Sequence, residues 1–234
     1  MKKIVILSAG PGLPEIVDKY GHSSDWIPNI LSNHNIEFIV RNAYQEDFGN
    51  VNEGDGWIIT GSKYSVYDDI PWIPKLKKYI HELIDNKKYI LGICFGHQIL
   101  ASCLGADVSK NPKGWELGSY KISLNEKGLD HLLLKNISQN EVVYESHQDI
   151  VCNMPGNLIE LAYTEKANQS FAYSTNIFGV QFHPEFSKEV TQMLMDLREQ
   201  KGVKIDSNKL LASNNSYKVL ENYIEIVNKG DTNE

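Results

Sequence analysis

Cys94 stands where an apolar strand turns into an apolar helix. Tyr89-Ile90-Leu91-Gly92-Ile93 is a short apolar run of the kind that forms a buried parallel strand. Ile99, Leu100, Cys103 and Leu104 follow at helical spacing. Between them lies Gly92-Ile93-Cys94-Phe95-Gly96. A Gly-x-nucleophile-x-Gly turn between strand and helix holds its central residue in a strained, exposed pose, here with cysteine where an esterase carries serine. Gly92 and Gly96 lack a Cβ, so strand and helix can close around that residue. The helix N-terminus beneath the sulfur carries roughly half a positive charge and favours thiolate. Inert packing is the competing account of a cysteine in an apolar run, and the flanking glycines at a strand-to-helix switch argue against it.

A nucleophilic cysteine needs a base, and the base needs a group to orient it. Ile177-Phe178-Gly179-Val180-Gln181-Phe182 is a second apolar run, with His183-Pro184-Glu185 at its end. His183 and Glu185 are two residues apart, so in extended chain their side chains point the same way. Pro184 disfavours helix at His183 and keeps the segment extended. Glu185 is then placed to hold the imidazole in one tautomer. Alone, His-x-Glu also fits a solvated loop; opposite a cysteine elbow it completes a Cys-His-Glu constellation.

Gly-Ile-Cys-Phe-Gly-His-Gln (92–98) together with Gly-Val-Gln-Phe-His-Pro-Glu (179–185) resembles the class I, or triad, glutamine amidotransferases, from Met1 to about Ser187. The resemblance implies Cys94 as nucleophile, His183 as base and Glu185 as its orienter. It implies a γ-glutamyl thioester, formed with release of ammonia or an amine and then hydrolysed. Pro14-Glu15-Ile16-Val17 and Lys19-Tyr20-Gly21 resemble the stand-alone branch that includes plant γ-glutamyl peptidases. The glutaminase domain of GMP synthase is the other relative that the motifs suggest. The implied substrate is glutamine or a γ-glutamyl compound, with no cofactor and no metal.

The family pattern also assigns the pocket. Gly61 and Phe95 match the two oxyanion N–H donors, and losing one such donor costs roughly 3 kcal/mol. Where many of these enzymes carry Gly-Gly-Pro or Asn-Gly-Pro, this chain carries Thr60-Gly61-Ser62. Gln98 matches a glutamine that contacts the substrate's γ-glutamyl group. Ser146-His147-Gln148-Asp149 matches the segment around the glutamine α-amino and α-carboxylate groups. Trp115 and Glu116 suit either a pocket wall or hydrogen bonding within their own loop. His147 has no second ligand at a metal-binding spacing, and ordering of its loop is the plainer account. His97 reads as structural. The aromatic and acidic loop Lys63 to Asp69 suits a pocket lining or simple packing equally.

The elements around these residues alternate. Strands are expected at Lys3–Ser8, Ile36–Val40, Gly56–Thr60, Ser119–Leu124, Glu141–Glu145, Leu158–Tyr163 and Phe171–Ser174, besides those at Tyr89 and Ile177. Helices are expected at 24–33, 72–86 and after Cys94. Beyond Ser187 a helix carries Val190, Met193, Leu194 and Leu197 on one stripe. A final helix, capped near Ile205-Asp206-Ser207, is expected to run through Leu210, Leu211, Tyr217, Leu220, Tyr223 and Ile226. The pattern predicts an α/β fold: an open, mostly parallel, doubly wound sheet with helices on both faces, filling 1–234 as one domain. The C-terminal helices occupy about 187–229.

Bulk properties narrow the function. A formal net charge of −7 without a basic patch argues against nucleic acid as a partner. No apolar run reaches membrane-spanning length, and Ile4 to Leu7 is too short for a signal-peptide core. Three cysteines suggest a reducing compartment, and cytoplasm is the expectation. Gly10-Pro11-Gly12 lacks the third glycine of a dinucleotide loop. No P-loop is present, so acceptor activation would fall to a separate synthetase subunit. The remaining functional alternatives are a catalytically silent binding or regulatory module and a cysteine peptidase built on a similar elbow.

Overall fold

Alternating apolar side chains divide the core between two sheet faces. In the first strand, β1 (Lys2–Ser8), Ile4 and Ile6 join one core cluster while Val5 and Leu7 join the other. The pattern repeats at Gly56–Ile59, where Ile58 faces one way and Trp57 and Ile59 the other. A strand covered on both faces must be apolar at every position, which is how these runs read. The computed structural model describes residues 1–205 and 210–230.

After β1 come helices α1 (Pro14–Tyr20) and α2 (Ser23–Ile30), strands β2 (Ile36–Asn42) and β3 (Gly56–Ile59), and helix α3 (Trp72–Asp85). Strand β4 (Tyr89–Ile93) then runs into α4 (Phe95–Cys103). Strands β5 (Asp107–Lys110), β6 (Glu116–Lys121) and β7 (Ser123–Leu124), a short helix α5 (Glu126–Asp130), and strands β8 (Val142–His147) and β9 (Asp149–Cys152) follow. Strands β10 (Ile159–Tyr163), β11 (Asn168–Tyr173) and β12 (Ile177–Val180) lead to helices α6 (Lys188–Glu199) and α7 (Lys218–Gly230).

The main sheet has eight strands in the order β2-β1-β3-β4-β12-β11-β10-β7. It is parallel from β2 through β12, and β11, β10 and β7 add antiparallel. Helices α3 and α4 cover the face of Trp57 and Ile59; α2 and α7 cover the face of Ile58. The doubly wound, mostly parallel sheet expected from the alternation is therefore present. Two small antiparallel ribbons, β5–β9 and β6–β8, stand apart from it. Strand β4 pairs with β12, Ile93 opposite Val180, so the ends of the two motif-bearing strands are neighbours.

One local expectation is corrected, and further elements appear where none is expected. The final helix starts at Lys218, so Leu210 and Leu211 precede it. Leu210 packs beside Leu117 and Tyr144, and the Leu211 N–H donates to Ser119 Oγ, which ties this stretch to the β6–β8 ribbon in non-helical form. The expected cap at Asp206-Ser207 lies outside the described residues. Helix α1 occupies a stretch for which no element is expected, starting at Pro14, whose fixed φ suits a first helical turn. Strands β5 and β9 are too polar and too short to announce themselves.

The elbow depends on two close backbone approaches. A Cβ on Gly92 would collide with the Gly96 carbonyl, and one on Gly96 with the carbonyl of Ile59 on β3. Neither obstacle is a side chain that can swing away. Gly96→Ala is expected to destabilise the fold by about 3 kcal/mol or more. Gly156→Ala, where a Cβ meets nothing within 4 Å, serves as the neutral control in the same denaturant titration.

Candidate active site

Cys94 lies between β4 and α4 at φ 53°, ψ −103°, in backbone space that a non-glycine residue rarely occupies. Its N–H donates to the Val180 carbonyl at 2.9 Å, which pins the elbow to β12. The residue is 4% exposed and does not itself line the cleft that His183 and Gly61 line.

His183 comes off the end of β12 and is held from three sides. Its N–H donates to the Tyr144 carbonyl on β8 at 2.9 Å. Its ring stacks on Phe186 at 3.7 Å and 9°, and Phe186 meets Trp26 of α2 edge-on at 5.8 Å. Its Nδ1 lies 2.7 Å from Glu185 Oε1, both groups being buried. A carboxylate only accepts, so Nδ1 carries the proton in that bond and Nε2 is left for Cys94. Burial works against the imidazolium, but the charges of Glu185 and Cys94 outweigh it and raise the His183 pKa to about 10.

Gly61 closes the group. A Cβ there would lie 2.8 Å from His183 Cε1 and 3.5 Å from Cys94 Cβ, so only a bare backbone fits between them. The Phe95 N–H belongs to the first turn of α4, where amides have no intrahelical acceptor. Cys94, His183, Glu185, Gly61 and Phe95, drawn from three segments, thus share one point at the strand ends.

The cleft that opens here is lined by Gly61, Ser62, Lys63, Ser146, His183 and Glu185 on the sheet side. Across from them stand Gly10 and Gly12, residues of α1 and α2, and Phe186, Leu194 and Arg198. Ser146 is the member of the expected substrate segment that reaches it. Gln98, His147, Gln148 and Trp115 do not line it. The Gln98 amide is buried and donates to the Asp149 carbonyl at 2.9 Å and to Gln181 Oε1 at 3.0 Å. The Gln148 carbonyl accepts from the Asn111 N–H at 2.8 Å. The Asp149 carboxylate is held by Ser65 Oγ and by the Tyr67 hydroxyl, which gives the 63–69 loop a packing role.

His147 lies in a buried polar cluster behind the cleft. Its Nε2 is 3.3 Å from Glu116 and 3.2 Å from Glu145, and its Nδ1 is 2.9 Å from the Asp149 carbonyl. Burial opposes its charge, yet the two carboxylates hold its pKa well above the usual value. Burial raises Glu145 to about 7, with His147 pulling the other way. Among the described residues no group of three or more His, Cys, Asp or Glu is placed to hold a metal ion. His97 packs against Phe171 at 4.9 Å, and burial pushes its pKa down to about 3.

Arg198 is a charged lining residue that sequence reasoning missed. Its signal was its position: Val190, Leu194 and Arg198 succeed one another at i+4, so a charge sits on the buried stripe of α6. Glu145 lay equally hidden, and the partner of Glu116, expected either in a pocket wall or within its own loop, appears only when β6 pairs with β8.

The glutamine amidotransferase class I family model matches residues 15–197. A glutamine amidotransferase-like protein of Schizosaccharomyces pombe is 34% identical over 211 residues, 82% of each chain. γ-Glutamyl peptidase 5 of Arabidopsis thaliana is 34% identical over 145 residues, 61% of this chain and 58% of that protein. A glutamine-hydrolysing GMP synthase subunit of Saccharolobus solfataricus is 41% identical over 132 residues, 55% of this chain and 65% of that one. Among solved structures, a glutamine amidotransferase from Thermotoga maritima superimposes with a TM-score of 0.76 at 21% identity, covering 100% of this chain and 99% of that one. The chain belongs to the class I glutamine amidotransferases. No helix among the described residues is long and apolar enough to cross a membrane.

Proposed function

We propose that this protein is a cysteine-dependent γ-glutamyl hydrolase or transferase, acting on glutamine or γ-glutamyl amides and peptides through a Cys94 thioester. One observation carries the proposal: a strained elbow cysteine faces a histidine whose other nitrogen is bound to a buried glutamate at 2.7 Å. Cys94 sulfur attacks the γ-carbonyl carbon and forms a C–S bond. The oxyanion is received by the Gly61 and Phe95 N–H groups. The C–N bond breaks as the His183 imidazolium gives its proton to the leaving amine. Water then attacks the thioester, His183 takes its proton, and glutamate leaves as the sulfur is restored. In the transferase mode an amine replaces water. All of this is assigned to a single domain in the cytoplasm, in keeping with three unbridged cysteines.

The cleft bears on the leaving group. His183 protonates the departing amine, so the space beyond His183 receives that amine. That space extends between α1, α2 and α6, more room than ammonia requires. This favours γ-glutamyl peptides or substituted amides as donors. The likeness to the GMP synthase subunit supports a second reading, in which the chain supplies ammonia to a separate synthetase.

Glutamate release from glutamine, from γ-glutamyl dipeptides and from glutathione distinguishes the two. Saturable release from the peptides is the expected result. Slow, non-saturating release from glutamine alone would replace it with the synthetase reading. No release from any donor would leave a silent binding module.

A further inference from the structure

We infer that Arg198 is a specificity residue that receives a carboxylate on the leaving-amine half of the substrate. The inference rests on the γ-glutamyl reading above and names what the far side of the cleft selects.

Arg198 is a half-buried cation without a described counterion. Its guanidinium lies over the Trp115 ring, 4.8 Å from the centroid, so the side chain is fixed against an aromatic face. Its Nε is buried and has no hydrogen-bond partner among the described residues. No carboxylate among those residues pairs with it. Burial lowers its pKa from the ordinary value, and it lines the same cleft as His183.

Desolvating a guanidinium is costly unless an anion compensates. Among the described residues the only carboxylate lining the cleft, Glu185, is bound to His183. Lys63, at the same cleft, lies over the Tyr64 ring and likewise has no acidic partner among the described residues. Among the described residues the cleft thus holds a half-buried guanidinium with no acidic partner, with the exposed Lys63 ammonium beside it. A substrate carboxylate supplies the missing charge, and a guanidinium fork receives it in two-point fashion. Arg198 and His183 share the leaving-amine side, so the carboxylate belongs to the amine that departs. γ-Glutamyl amino acids and peptides carry one; glutamine does not.

The test compares γ-glutamylglycine with γ-glutamylmethylamide, which share an acyl group and differ in the leaving amine's charge. Wild-type protein is expected to prefer the former in kcat/KM. In Arg198→Gln the ratio of the two specificity constants should fall about 10–100-fold, mostly through KM, as loss of a charge-assisted hydrogen bond implies. Arg198→Lys should recover part of the ratio. Equal losses on both donors would overturn the inference, since a merely structural role weakens both alike. Should wild-type protein turn over neither donor, Cys94 alkylation decides. A lower iodoacetate-to-iodoacetamide rate ratio in Arg198→Gln would sustain carboxylate capture while the γ-glutamyl reading fails. An unchanged ratio would dismiss both.

Discussion

Cys94→Ala is expected to remove glutamate release from every γ-glutamyl donor, by a factor on the order of 10⁶ where a nucleophile is lost outright. The protein should still fold. Alanine at φ 53° is no more strained than cysteine, and the backbone bond from residue 94 to the Val180 carbonyl does not involve the side chain. The other two cysteines are poor substitutes. Burial pushes the Cys103 thiol up to about 12, and Cys152 lies at the end of β9, where its sulfur contacts Ser109 Oγ and the Asp107 carbonyl. Glutamate release and the thermal melt are read on the same preparation. Turnover persisting in a folded Cys94→Ala protein would dismiss the thioester mechanism.

The elbow was legible in the sequence because its spacing is local. Gly92, Cys94 and Gly96 act within one turn, and Gly92 closes on Gly96 itself, although the atom that Gly96 must clear belongs to Ile59 on β3. His183 and Glu185 were legible for the same reason, being two residues apart on extended chain. The alternation of apolar runs was enough for the doubly wound sheet, since strands covered on both faces have no polar side to disguise them. What lay hidden depends on contacts between distant segments. The resemblance implies Gln98 as a substrate contact; in the structure its amide donates to the Asp149 carbonyl and Gln181 Oε1, partners that β9 and the end of β12 bring alongside. His147 reads as a loop-ordering residue; its two glutamate neighbours become visible only when β6 pairs with β8, Glu116 opposite His147. Arg198 sits on a helical stripe otherwise apolar, and only the Trp115 face and the cleft beside it explain a charge there. The final helix starts later than the apolar spacing suggests because Leu210 and Leu211 mimic its stripe, whereas Leu210 packs on the β6–β8 ribbon and Leu211 is exposed.

Glu185→Gln should slow turnover by about 10³–10⁴-fold, the scale seen when the orienting carboxylate of a triad becomes an amide. Substrate binding should change far less, because Glu185 works through His183 and the acyl group is held by other residues. The pH profile separates this role from a structural one. In the wild-type protein His183 keeps its proton until pH rises through about 10, against an ordinary value of 6.5. Breakdown of the first tetrahedral intermediate needs that proton for the leaving amine, so the rate should fall on the alkaline side near pH 10. The main opposing influence is burial, which lowers the pKa, and Glu185 supplies the largest of the charges that raise it. In the Glu185→Gln protein burial gains ground, and the alkaline limb should move toward neutral pH. Stability follows the same sign. A histidine whose folded pKa is raised contributes stability fully present below its unfolded pKa and lost as pH rises through the folded one. The stability gap between wild type and Glu185→Gln should therefore be widest below about pH 6.5 and close as pH approaches 10. Denaturant titrations at pH 6 and pH 10, run beside the rate profile, check both. An alkaline limb at the same pH in the two proteins would show that Glu185 does not set the charge of His183.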